Sequence, residues 1–147
     1  MSVHLPLAAL LLAAVIFSWG VFFKNPLALR MGGILTIIGT VGAWFSIYTG
    51  DLADGIVSRT LCDPTVLKTH ENYALTATWI FSMASLLILL DLFKILAYLR
   101  YWANILVVLL LISGAGLLIY VGSLGSELVY EQAAGVSIPS EDCSEFD

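Results

Sequence analysis

Four long apolar stretches joined by polar connections constrain this chain more than any other feature. They cover residues 3–23, 31–50, 73–92 and 102–122. A helix of about 20 apolar residues crosses the hydrocarbon core of a bilayer, and each stretch has that length. Backbone N–H and C=O groups in lipid must be satisfied within a helix or a closed barrel, and these stretches are too long and too uniformly apolar for barrel strands. The chain is 60% hydrophobic and only 12% charged, whereas a soluble domain carries about 25% charged residues. The expected fold is all-α: an integral membrane four-helix up-down bundle, one domain over residues 1–147, with an outer loop 51–72 and an acidic outer tail 123–147.

Basic residues set the expected orientation. Lys24 and Arg30 lie in the first connection and Lys94 and Arg100 in the third, while only Arg59 and Lys68 lie on the opposite side. Short loops rich in Lys and Arg stay in the cytoplasm, which places both termini and the central loop outside. The first stretch has no basic segment before it, so it reads as a retained helix and not as a cleaved signal peptide. Cys62 in the loop and Cys143 in the tail then share the outer side. There an oxidising compartment allows one disulfide between them, the alternative being two thiols that never meet.

Glycines punctuate the second and fourth stretches: Gly32, Gly33, Gly39 and Gly42, then Gly114, Gly116 and Gly122. Small residues let helix backbones approach closely, so these positions predict contact faces; room for a flat ligand is the other use. Trp19, Trp44, Trp79 and Trp102 fall mostly toward stretch ends with several tyrosines, as an interfacial aromatic belt does. Asp91 is the one acid inside a stretch, and Lys94 three residues later predicts a local ion pair. Phosphate-cradling loops, nucleophile elbows and closely spaced Cys/His motifs are absent from the sequence. The net charge of -5 argues against a nucleic-acid partner.

The two histidines, His4 and His70, open the first and third stretches on the same side. In an up-down bundle those helices are diagonal partners. Three readings compete. A b-type haem between the two imidazoles needs one neutral nitrogen from each, with Glu71, Asp51 or Asp54 holding the other nitrogen. A divalent metal such as zinc would take both histidines and one or two of the carboxylates. Alternatively the histidines are polar interface residues satisfied by loop carbonyls. Glu127 and Tyr130 are expected at the same end, and a quinone held by His70 and Tyr130 is a further option.

The segment Val3-His4-Leu5-Pro6-Leu7-Ala8 resembles the V-H-F-P-[IV]-A opening of a group of small bacterial four-helix membrane proteins, some of them fused to Rieske iron–sulfur domains. Thr49-Gly50, His70, Leu128-Val129-Tyr130 and Gly135-Val136 extend the resemblance along most of the chain. Departures are Leu5 for the usual Phe, and Gln132 where relatives can carry a His. The resemblance implies a redox-associated component of the bacterial inner membrane. The expectation is a small b-type cytochrome-like electron carrier with haem on His4 and His70, serving an external carrier or membrane redox complex. The alternative is a non-catalytic accessory subunit of a larger respiratory or photosynthetic complex; homo-oligomers suit either reading.

Overall fold

The computed structural model describes residues 3–57, 64–95 and 97–131. Cys62 and Cys143 fall outside these, and the pairing expected of them lies outside the described residues. The described chain holds four helices and no strand: α1 (His4–Phe22), α2 (Pro26–Val57), α3 (Pro64–Leu92) and α4 (Arg100–Tyr130), with a single 3₁₀ turn at Ala97–Leu99 before α4. Each of the four is long and apolar enough to cross a membrane.

Local chemistry explains the two tight reversals. The Asn25 side-chain oxygen accepts from the backbone N–H groups of Leu27 and Ala28 at 3.0 and 3.2 Å, capping α2. Pro26 follows at the first helical position, where its missing N–H is no loss. At the end of α1 the Asn25 N–H donates to the Gly20 carbonyl and the Lys24 N–H to that of Val21. This is a Schellman closure with Lys24 in the left-handed region at φ 50. The end of α3 repeats it: Ile95 donates to Leu90, Lys94 to Asp91, and Lys94 has φ 60.

The helices form an up-down bundle of two hairpins. α1 packs mainly on α2 and α3 mainly on α4, while the α2–α3 and α1–α4 seams are sparser. Glycine makes the α1–α2 contact possible. A Cβ placed on Gly32 would stand 2.7 Å from the Phe17 Cβ and backbone N, and one on Gly20 would stand 2.7 Å from the Leu29 N. Across the other hairpin the Phe81 ring lies flush against Gly114.

The bundle buries alanines and hydroxyl-bearing side chains alongside larger apolar ones. Ala13, Ala77, Ala84 and Thr36 are fully shielded around Leu10, Phe17, Phe81 and Leu111, whereas Leu12, Val15, Phe45, Leu109 and Ile119 stand exposed on the outside. Water-soluble helices carry polar residues on that outer face. Thr36 and Thr40 satisfy their hydroxyls on the Gly32 and Thr36 carbonyls one turn back, and Thr40 also meets the Ser85 hydroxyl at 2.9 Å, linking α2 to α3. Trp44 adds a second link, its indole N–H donating to the Ser82 hydroxyl at 3.0 Å.

Three expectations change. The segment 51–72 is largely helix, because α2 continues to Val57 and α3 begins at Pro64. Hydropathy marks where the apolar surface stops, and helical hydrogen bonding runs past that point. The tail also starts later than residue 123, since α4 extends through Tyr130. Asp91 pairs with Arg100 and not with Lys94: Arg100 Nε lies 3.3 Å from Asp91 Oδ2. α3 ends at Leu92, so the left-handed turn carries Lys94 off the helical face that spacing assigned to it.

Candidate functional site

Antiparallel register decides which residues share a level along the bundle. Between α1 and α2 the facing pairs are Gly20 with Leu29, Phe17 with Gly32, Leu10 with Gly39 and Pro6 with Gly42. Extended by one step, this ladder sets His4 beside residues 44–45 of α2. Between α2 and α3 the pairs are Gly33 with Ile88, Thr40 with Ser85 and Trp44 with Ser82. The level of His4 therefore meets α3 near residues 77–81, where Trp44 and Trp79 pack edge to face with ring centroids 5.1 Å apart.

His70 belongs to a different level. It lies two to three helical turns nearer the α2–α3 connection, on the order of 10–15 Å along the axis. Its Nδ1 lies 3.1 Å from the Val121 carbonyl of α4. A carbonyl only accepts, so Nδ1 carries the proton and donates, and when the ring is neutral Nε2 holds the lone pair. Gly125, one turn further along α4, faces the ring: a Cβ there would lie 3.4 Å from His70 Cε1, at van der Waals contact. Tyr73, one turn along α3, packs edge to face on Tyr120 with centroids 5.0 Å apart.

The other sequence candidates do not converge on this ring. Glu71 lies within 3.0 Å of the Lys68 ammonium on its own helix. Asp51 is exposed on α2, Tyr130 is 86% exposed at the end of α4, and His4 is exposed at the start of α1. Asp54 lies on α2, with its side chain outside the described ones. Among the described residues no three His, Cys, Asp or Glu side chains group as a metal site would require. A haem iron shared by His4 and His70 requires two imidazoles facing each other across one plane, and the register does not bring these two together. His70 alone has a ligand's geometry, its Nδ1–H held by a backbone carbonyl.

A second feature was not singled out from sequence. Along the sparse α1–α4 seam runs an open groove, with Ala14, Ser18, Ala115 and Gly116 along its floor and Trp19 and Ile119 among its walls. The Ser18 hydroxyl oxygen is buried there without a hydrogen-bond partner. A serine inside an apolar stretch is the signal that could have drawn attention to it, since polar groups in such helices serve contacts. Gly116 in this groove, and Gly122 further along α4, have open space where a Cβ would stand.

No family model, no curated protein and no solved structure matches this chain.

Proposed function

We propose that this protein is a multi-pass membrane subunit that works by docking, holding a transmembrane helix of a partner protein along the α1–α4 groove. The observation that carries this reading is the groove itself: it holds small residues among its apolar lining and a buried Ser18 hydroxyl with no hydrogen-bond partner among the described residues. Between helices in lipid the hydrophobic drive is weak. Small residues permit close approach, and a serine hydroxyl across the interface contributes about 0.6–2 kcal/mol. The many large apolar side chains exposed on the outside of the bundle support a bilayer setting. The basic connections support a cytoplasmic position for the α1–α2 and α3–α4 turns, with both termini on the opposite side, as in a bacterial inner membrane.

The test is native electrophoresis of gently solubilised source membranes. The wild-type chain should run in a complex well above its own 15.9 kDa. Gly116→Leu, which fills the floor, should release it while leaving the isolated protein folded. A complex of two copies only would assign the groove to a second copy. Wild-type protein running alone in its native membrane would overturn the reading.

A redox reading has one specific observation in its favour, the Val121 carbonyl holding His70 Nδ1. In that reading His70 Nε2 would hold a b-type haem, which would supply one-electron chemistry when bound. An absorption spectrum of protein purified after haem-supplemented expression tests it. A Soret band that shifts on reduction and is lost in His70→Ala would support the reading; a featureless spectrum would exclude it.

A further inference from the structure

The basic end of the bundle, remote from His70 and on a different seam from the α1–α4 groove, encloses a cavity of about 820 Å³ bounded by all four helices. Small-molecule sites span roughly 300–1,000 Å³, so the space is ample for a ligand. Its walls are apolar, with Phe17 from α1, Ile37 from α2, Leu87 and Ile88 from α3 and Val107 from α4. Its mouth is charged: Arg30, Lys94 and Arg100 all border it, against the single acid Asp91. Within it stands Asn104, whose side chain makes no hydrogen bond among the described residues.

Each part of this arrangement has a bland explanation when taken alone. Basic residues gather at a cytoplasmic end because insertion selects for them. Asp91 neutralises part of Arg100. Insertion does not require those cations to border an apolar hollow reaching into the bundle, nor an amide within it. A neutral apolar ligand would leave the cations unused, and a free anion would leave the apolar walls wet. A molecule with an anionic head and an aliphatic chain satisfies both, the head on Arg30, Lys94 and Arg100 and the chain against Phe17, Leu87 and Val107. Ile34 and Leu92 line the same cavity and are exposed at the bundle surface, so it opens sideways as well as at its end. That opening lies on the α2–α3 seam, where packing is sparse.

We infer that this cavity binds an anionic amphiphile from the surrounding bilayer, its acyl chain entering between α2 and α3 and its headgroup held by the three basic side chains. The experiment is native mass spectrometry of the detergent-purified full chain, with phosphatidylglycerol, phosphatidylcholine or oleate added in turn. Phosphatidylglycerol should be retained at least fivefold over phosphatidylcholine. Oleate retained in its place would support the same site, with a free fatty acid as the source. Arg30→Gln should weaken retention. Ala103→Phe, which fills the cavity from α4 with every charge left in place, should abolish it. Equal retention of the zwitterionic lipid would overturn the inference. So would undiminished retention in Ala103→Phe, because plain surface attraction by the basic end would survive that change. Helicity and unfolding midpoint in detergent accompany each variant. If Ala103→Phe fails to fold, Gly33→Leu on the facing wall takes its place, with the same two outcomes.

Discussion

Replacing Gly32 with alanine tests the tightest feature of this fold. A Cβ at that position would lie 2.7 Å from both the Cβ and the backbone N of Phe17, and 2.8 Å from its Cα. Non-bonded carbons rest at about 3.5–4.0 Å, so the new methyl is short by roughly 1 Å. No rotamer change relieves this contact, because two of the three atoms it meets are backbone. α1 must move away from α2 as a body, loosening the contacts at Gly20, Gly39 and Gly42 on the same face. Overpacking of this kind costs about 1–3 kcal/mol. In an ordinary helix the same exchange gains about 1 kcal/mol of propensity, which would blur the result if Gly32→Ala were measured alone. Gly116 supplies the control: it also lies mid-helix, and nothing stands within 4 Å of where its Cβ would be. Both variants gain the propensity, and only one has the clash. The assay is reversible unfolding in mixed micelles, titrating a denaturing detergent against a mild one and following tryptophan fluorescence. Gly32→Ala should fall about 1–3 kcal/mol below Gly116→Ala. If the two variants are equally stable, α1 and α2 do not approach as closely as described here, and the register that separates His4 from His70 loses its anchor.

Two further substitutions probe other parts of the frame. Asn25→Ala removes the oxygen that caps α2 and should lower stability by about 1 kcal/mol; hydrogen exchange should rise at the Leu27 and Ala28 amides, which it caps. Thr40→Val keeps the volume and deletes the hydroxyl facing Ser85. A loss of about 0.6 kcal/mol, and no more than about 1.7, is expected in the same unfolding assay. The hydroxyl also lies 3.4 Å from the Phe81 carbonyl of α3, and a loss above that range would mean that this second contact contributes as well.

Length and hydropathy alone determined how many helices this chain forms and which class of bundle they can build. They also set the ends of the first helix, read as residues 3–23 and found as His4–Phe22. These are local properties: an apolar run of sufficient length must form a helix in lipid. Residue type also made the glycines visible as contact positions. It could not show that Gly32 and Gly39 face α1 while Gly116 and Gly122 face open space. That depends on how each helix is rotated about its axis. The hydrophobic period is a weak guide to rotation when the outside is as apolar as the inside.

The candidate sites follow the same division. Two histidines opening the first and third stretches look level in a hydropathy profile, since the profile records position along the chain and not height in the bundle. The interlocking of Pro6 on Gly42 and of Trp44 on Ser82 sets the heights and puts His70 beside Val121, two to three turns from His4. Asp91 likewise has Lys94 near in sequence, but the chain reversal after Leu92 delivers Arg100 instead. The cavity bordered by Arg30, Lys94 and Arg100 draws on all four helices, and no single stretch of sequence contains it. Sequence periodicity and charge state what each helix can offer; side-chain interlocking between helices decides which offers meet.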